Sequence, residues 1–326
     1  MYQAHKVDDD LYFLHFTRKS WPTGSNIIVV PDQDGLNVID TGLNEDASFE
    51  GFENCLKGLG YGVSDIHTIY LTHGHTDHIA GVNLITKHCS PRIFLSEKSF
   101  PEALHPKMQE HYCLPEAVRK IVPELQNFDI LANFEQSCGQ WWLEDVDIMP
   151  INGGDELKIG KYTFSTILVP GHDIGLLVFY EPSLKLLLST DLLQSSGPGS
   201  ALPWYTSTAG GVSEYLASLR RVEGFDVEQV FPSHGFIRHS FSDAVKATRS
   251  VILNREQKIF SSLGEGEKTC RQLDKTLFGE FLLDICPWFS TITEAHLVLL
   301  ENKNRIVKEE GKSGTWYRQI DGGSAA

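Results

Sequence analysis

The chain has 326 residues, and 28 lysines and arginines against 43 aspartates and glutamates give a formal net charge of −15. A hydrophobic fraction of 41% and a charged fraction of 22% are typical of a globular protein with a sizeable core, either one large α/β domain or a core domain with a small appendage. The acidic balance argues against broad capture of nucleic acid or of an anionic membrane, since both select basic surfaces. A bound metal could still supply a local positive site.

The sequence also lacks targeting and disulfide signals. Residues 1–10 contain no apolar core of a signal peptide, and no stretch approaches the roughly 18 apolar residues of a membrane span. The six cysteines are scattered, with no C-x-x-C pair. We therefore expect reduced thiols in a cytoplasmic protein, with a disulfide-stapled secreted fold as the minor alternative.

The opening third is rich in strand signals. A turn at residues 31–35 favours a hairpin, and apolar residues at helical spacing predict a helix over 47–59. The predicted strands of this part cover residues 11–16, 27–30, 36–39 and 68–71.

A second strand-rich block covers residues 157–191. Its predicted strands are 164–169, 176–180 and 186–188. Between the blocks, residues 96–144 are polar and partly helical, which predicts an insertion over one edge of the fold; the sequence leaves open whether this insertion also covers the active site. Two similar strand-rich halves, each with helices outside, predict an α/β (α+β) fold in which two sheets pack face to face between outer helices.

The last portion has its own pattern. A predicted helix over 243–263 leads into helices at 268–278 and 289–301, followed by short strands at 305–308 and 315–319. Helices followed by a β-wing resemble a winged helix, although a packing or dimerisation appendage is the simpler interpretation. Residues 265–320 hold 8 basic and 9 acidic residues, so a DNA-reading use is poorly supported. Residues 321–326 are expected to form a flexible tail.

The strongest chemical signal is the segment T-H-G-H-T-D-H at residues 72–78, directly after an apolar strand. It places three imidazoles and a carboxylate within six residues on a turn, and these groups are the ligands that zinc and comparable divalent ions take. Three more strand ends carry single residues of the same type. These are His172, Asp191 and His234. Five histidines and two aspartates suffice for two metal ions with open positions for water and substrate.

This ordered set resembles the metallo-β-lactamase superfamily, with its H-x-H-x-D-H motif and its later single His, Asp and His. The resemblance covers residues 11–239, and the tail is similar to that of the glyoxalase-II-like hydrolases and the β-lactamase-like endoribonucleases. It implies a four-layer αββα sandwich. The implied domains are a catalytic domain at 1–242, including the insertion at 96–144, and a helical linker with a small winged-helix-like domain at 243–320.

The resemblance also implies roles for the seven residues. His73, His75 and His172 are expected to hold one metal ion, whereas Asp77, His78 and His234 hold another and Asp191 bridges the two. We expect two divalent ions, with zinc preferred and iron or manganese as alternatives. Two sequence departures remove no ligand: the segment after Pro170 reads G-H-D-I-G, and Thr190 stands where the family often has glycine.

The implied mechanism is hydrolysis by metal-bound hydroxide, with one metal stabilising the developing oxyanion. Asp77 would orient the nucleophile and hand a proton to the leaving group. Asp173 adds a charge near the site, where it could affect substrate preference or orient His172. Trp204 and Tyr205 could line the pocket and bind substrate, with packing as the favoured role for Tyr205. The histidines without ligand spacing are expected to be surface or core residues, and they are His5, His15, His67, His88, His105, His111, His239 and His296.

The leading hypothesis is a dinuclear zinc hydrolase of a small-molecule ester, thioester or lactone. A phosphodiesterase or endoribonuclease with the same metals is the first alternative, but residues 1–264 hold 20 basic against 33 acidic residues and show no basic groove. The second alternative is a diiron redox or sensor protein. Superfamily members of that kind commonly carry glutamate at the position of His75, which argues against this alternative. A ligand-binding regulator with a vestigial site conflicts with retention of all seven ligands. No membrane partner is expected, nucleic acid is disfavoured, and a homo-oligomer is compatible with the sequence.

Overall fold

A computed structural model describes residues 2–18, 23–197, 200–311 and 314–320. Its first sheet has seven strands whose spatial order follows the chain, antiparallel from β1 to β4 and parallel from β4 to β7. The strands are β1 (Tyr2–Asp8), β2 (Leu11–Phe16), β3 (Ile27–Asp32), β4 (Gly35–Ile39), β5 (Ile66–Tyr70), β6 (Arg92–Ser96) and β7 (Ile148–Ile151).

The second sheet has five strands in the order β12-β11-β10-β9-β8. Because β10 is antiparallel to both β9 and β11, and β12 is parallel to β11, the strands β9, β11 and β12 run in one direction. Their carboxyl ends therefore meet at one edge of the sheet. The strands are β8 (Glu156–Ile159), β9 (Tyr162–Leu168), β10 (Leu177–Glu181), β11 (Leu186–Thr190) and β12 (Gln229–Pro232).

The two sheets pack face to face through one apolar core. Phe13 and Ile28 of the first sheet are buried in it with Phe164 and Phe179 of the second. The outer face of the first sheet is covered by α1 (Asp46–Gly58) with the short helices α2 (Thr76–Ile79) and α3 (Val82–Ile85). The outer face of the second sheet is covered by α8 (Gly211–Val222) and α9 (Phe241–Leu263). The apolar faces on both sides of each sheet explain the layering, and the predicted αββα sandwich is confirmed.

The chain between β6 and β7 is helical, as predicted for the insertion at 96–144. It packs on the C-terminal part of the chain: Phe134 and Trp141 share one buried core with Leu273 and Trp288. The insertion and the C-terminal part of the chain thus share one packed core. The helices of this stretch are α4 (Phe100–Leu104), α5 (Pro106–Cys113), α6 (Glu116–Ile121) and α7 (Ile130–Cys138).

The C-terminal part contains two helices and a three-stranded sheet of order β13-β15-β14. The predicted helix over 268–278 extends further, with a break at Gly279, whose φ of 73° is left-handed and suits glycine. Residues 312–313 of the predicted wing and the predicted tail at 321–326 lie outside the described residues, and the winged-helix-like assignment stays a prediction. The elements are α10 (Cys270–Ile285), α11 (Ser290–Asn302), β13 (Lys268–Thr269), β14 (Ile306–Gly311) and β15 (Gly314–Gln319).

Two expectations about the chain as a whole concern its thiols and membranes. The five cysteines whose side chains the structure describes are free, and they are Cys55, Cys89, Cys113, Cys270 and Cys286. Within the described ranges, no helix has the length and apolar character needed to span a bilayer.

Candidate metal centre

The seven predicted ligands lie together at one end of the sandwich, where strands of both sheets finish. The segment 72–78 follows β5 and begins the short helix α2 (Thr76–Ile79), while His172, Asp191 and His234 follow β9, β11 and β12. Backbone hydrogen bonds join the strand ends of the two sheets: Leu177 N donates to Thr72 O at 3.0 Å. The parallel directions of these strands bring residues that are far apart in sequence to a single edge.

One group of side chains consists of His73, His75, His172 and Asp191, whose candidate ligand atoms all lie within 4.8 Å of one another. His75 Nδ1 is 2.9 Å from His172 Nε2, which in turn is 3.1 Å from Asp191 Oδ2. His172 Nδ1 donates to the carbonyl of Trp204 at 3.0 Å, so the lone pair of Nε2 is directed into the group. This arrangement fits one divalent cation.

A second group consists of Asp77, His78 and His234, also within 4.8 Å. His234 Nε2 lies 3.1 Å from Asp77 Oδ2, and His78 Nε2 lies 3.6 Å from the same oxygen. Asp191 Oδ2 is 3.5 Å from His234 Nε2 and 3.6 Å from His78 Nε2, so Asp191 reaches both groups. That placement suits a bridging carboxylate.

The hydrogen bonding of these buried atoms tests whether a metal fits. His73 Nε2, His78 Nε2 and Asp191 Oδ1 are buried and have no hydrogen-bond partner among the described residues. Buried polar atoms without partners are rare, because each loses hydration at a cost of about 1–3 kcal/mol. Coordination by a divalent cation would satisfy these atoms, so the residues present fit metal ions.

Charge coupling within the second group is strong. Burial alone would raise the pKa of Asp77, but the adjacent His78 and His234 outweigh it and lower that pKa to about 2. Burial alone would lower the pKa of His234, but Asp191 and Asp77 raise it to about 10. In the first group, burial lowers the pKa of His75 to about 3. The two carboxylates therefore make this pocket strongly attractive to cations.

Asp40 is a functional residue that the sequence analysis did not single out. Its carboxylate accepts a hydrogen bond from His78 Nδ1 at 2.8 Å and another from the backbone N–H of Thr72 at 2.9 Å. The contact fixes the His78 ring so that Nε2 faces Asp77 and Asp191. Asp40 begins the segment D-T-G after β4, and its φ of 62° is left-handed. A carboxylate at the end of a strand neighbouring β5 was the signal that could have identified it.

Asp173 belongs to a buried carboxyl pair with Glu102 of α4. Burial raises the pKa of Glu102 well above its usual range and Asp173 adds to that effect, so the protonated Glu102 donates to the ionised Asp173. Ser99 Oγ also donates to Asp173 at 2.9 Å, and Glu102 Oε1 lies 3.7 Å from His75 Nε2. Through these contacts, Asp173 connects the insertion to the loop that carries His172, and Glu102 lies beside the ring of His75.

Thr190 stands where the family often has glycine, and its backbone conformation shows what that difference entails. Its φ of 46° is left-handed, a conformation that β-branched residues rarely adopt and glycine adopts without strain. Thr190 Oγ1 donates to Leu177 O at 3.1 Å, a contact that glycine could not make. The side chain therefore partly compensates for the strained backbone that directs Asp191 into the site.

A cavity of about 330 Å³ opens above the two groups. Trp204 lines this cavity, and its ring centroid is 5.1 Å from that of His75. Tyr205 is fully buried, is absent from the described lining, and its hydroxyl lies 2.6 Å from His296 Nε2 of α11. The structure gives Tyr205 a packing position between the sandwich and the C-terminal helices.

The fold and the site together define a class. The family model described as the metallo-beta-lactamase superfamily matches residues 20–234, so the chain belongs to this superfamily. The relatives that it matches include a named metallo-hydrolase, and the chain is a metal-dependent hydrolase of this superfamily.

Particular relatives extend the likeness over most of the chain. The probable metallo-hydrolase YqjP of Bacillus subtilis is 26% identical over 305 residues, covering 87% of this chain and 90% of that protein. The atrochrysone carboxyl ACP thioesterase of Aspergillus fumigatus is 20% identical over 269 residues, covering 78% and 70%. The structure of the family protein TTHA1429 from Thermus thermophilus superposes with a TM-score of 0.76 at 20% identity, covering 97% of this chain and all of that one.

Proposed function

We propose that this protein is a dinuclear, zinc-dependent hydrolase of a small ester, thioester or lactone, acting in the cytoplasm. The observation that carries the proposal is the convergence of two ligand groups around Asp191 at the floor of a cavity. When bound, two divalent ions would supply a water of lowered pKa and polarise the carbonyl group. The thioesterase activity named for the Aspergillus relative supports an acyl substrate.

The protein's own residues would position that chemistry. Asp77 is 22% exposed at its side chain and lines the cavity, so its free oxygen can hold a water or a transferred proton there. Asp40 and the carbonyl of Trp204 fix the rings of His78 and His172. The proposed ligands of the first ion are His73, His75, His172 and Asp191, with Asp77, His78, His234 and Asp191 for the second.

Acyl substrates are favoured over phosphodiesters by the composition of the cavity. Among the described residues that line it, none is lysine or arginine. Phosphodiester and RNA substrates carry repeated negative charge and select basic surfaces. Bound metal ions could neutralise the charge of one phosphoryl group. Asp77 and Asp191 would repel the further phosphate groups of such a substrate.

The test is a substrate panel on zinc-loaded protein, containing an acyl thioester, an aryl ester, a lactone, bis-p-nitrophenyl phosphate and an RNA oligonucleotide. We expect hydrolysis of the acyl compounds, its loss on treatment with dipicolinate, and its recovery with added zinc. Asp77→Ala should lose at least a hundredfold in kcat/KM while retaining the circular dichroism of the wild type. Acyl hydrolysis that survives complete metal removal, or cleavage of the phosphodiesters alone, would contradict the proposal.

A further inference from the structure

The cavity above the metal groups has two chemically different faces. Its floor carries the ligand side chains, including Asp77 and Asp191. Its roof is apolar and comes from three separate parts of the chain: Phe134 of the insertion, Trp288 of the C-terminal part, and Leu202 of the loop before Trp204. A ligand that enters must therefore present a reacting group to the floor and a different surface to the roof.

Two of the three roof residues, Phe134 and Trp288, belong to the packed core. Phe134 and Trp288 are each 5% exposed, and their ring centroids lie 5.8 Å apart at an interplanar angle of 69°. Both belong to the buried cluster shared by the insertion and the C-terminal helices. Side chains held in this way keep the apolar surface in place before a ligand arrives, which reduces the entropy lost on binding.

The described lining offers no lysine or arginine to a charged group. In the described lining, the charged or titratable side chains are the proposed metal ligands at the floor and the thiols of Cys113 and Cys286. Burial raises the pKa of Cys286 to about 11, so that thiol stays neutral at physiological pH. A carboxylate or phosphate moved under this roof would lose hydration with no basic side chain to pair with, which disfavours its binding there.

We propose that this apolar roof binds the acyl group of the substrate, and that the group is uncharged and hydrophobic. The inference rests on the proposed hydrolase function, which places the scissile carbonyl at the floor. A cavity of about 330 Å³ is near the lower end of the range for small-molecule sites, so the acyl group is of small to medium length. The roof thus selects the acyl side of the bond, and the leaving group faces solvent.

The experiment uses the carboxylate products of such a reaction, so that it does not depend on turnover. Binding of acetate, butanoate, hexanoate and adipate to the zinc-loaded protein is measured by calorimetry. We expect Kd to fall about fourfold per added methylene from acetate to hexanoate, the value for burial of one such group. Adipate, which has the length of hexanoate but carries a charge at its far end, should bind at least tenfold more weakly than hexanoate.

A matched pair of variants locates the effect. Leu202 is 49% exposed at the cavity rim, and Leu253 on α9 is 46% exposed and absent from the described lining. Leu202→Ala should weaken hexanoate binding about threefold or more with a much smaller effect on acetate. Leu253→Ala should leave the whole series unchanged.

The outcomes separate this inference from the proposed function. Equal Kd values along the series, or adipate binding as tightly as hexanoate, would overturn the assignment of the roof even if esters are hydrolysed. A rising affinity with chain length in a protein that hydrolyses no acyl compound would support the roof and overturn the hydrolase proposal.

Discussion

His78 donates a hydrogen bond from Nδ1 to the carboxylate of Asp40 at 2.8 Å, and this contact fixes which ring nitrogen faces the second ligand group. Thr72 holds the other oxygen of Asp40 through its backbone N–H at 2.9 Å. Both partners are buried, so the orientation of the His78 ring is set before any ion binds.

Asp40→Asn should weaken metal binding at the second group by about ten- to a hundredfold, because an amide presents a donor to His78 Nδ1 and disfavours the required tautomer. Competition with a zinc-sensitive chelator measures the loss. Asp32→Asn is the matched control, since Asp32 pairs with His67 at 3.0 Å away from the site. Unchanged affinity in Asp40→Asn would show that the contact does not position His78.

The pair of Glu102 and Asp173 predicts different results for two substitutions. Glu102→Gln keeps a donor for Asp173 and should reduce zinc affinity only a few-fold. Glu102→Ala removes that donor beside a buried carboxylate and leaves space next to His75, so a loss of tenfold or more is expected. Zinc titration of both proteins distinguishes them, and equal behaviour of the two variants would argue against a positioning role.

Substitution of Tyr205 is expected to lower the stability of the protein and to leave its catalytic activity unchanged. Its hydroxyl donates to His296, and burial holds the pKa of that histidine down at about 3, so the ring stays neutral. Tyr205→Phe leaves a buried acceptor unpaired and should lower the free energy of unfolding by about 1–3 kcal/mol with kcat/KM unchanged. Tyr180→Phe, which removes an exposed hydrogen bond to Asp226 O, is the control and should cost much less. A fall in kcat/KM for Tyr205→Phe would instead indicate a role in substrate binding.

Glu294 of α11 predicts a pH-dependent stability. Burial raises its pKa from 4.5 to about 7, so between these values the folded chain keeps a proton that the unfolded chain releases. The free energy of unfolding contributed by this group is therefore present below pH 4.5 and is lost as the pH rises through 7. The loss is on the order of 3 kcal/mol.

Urea denaturation at pH 5 and pH 8 gives the free energy of unfolding at each pH, and comparison of variant and wild type isolates the contribution of Glu294. Glu294→Gln carries no titrating group, so its stability relative to wild type should be greater at pH 8 than at pH 5. The exposed Glu267 provides the control, and Glu267→Gln should follow the wild-type profile. A constant difference between Glu294→Gln and wild type at both pH values would contradict the assignment.

The sequence predicted the sandwich because its strands and helices follow local patterns, whereas the roles of the seven proposed ligands came from the family resemblance and stay a prediction. Apolar runs such as 11–16 coincide with a strand, and the histidine-rich segment at 72–78 lies within one turn, so its convergence needs no distant partner. Asp40, Glu102 and the roof residue Phe134 were not identified, since each acts through a residue far away in sequence. The strand β1 was missed because its charged, exposed residues reflect an edge position with little apolar signal.

The metal content of the purified protein tests the central claim most directly. Zinc-loaded and dialysed wild-type protein, analysed by plasma mass spectrometry, should hold two zinc ions per chain. Asp77→Ala should hold close to one, because the first group retains all four of its ligands. One ion or none in the wild type would contradict the dinuclear centre, and two ions retained in Asp77→Ala would contradict the role of Asp77 as a ligand of the second ion.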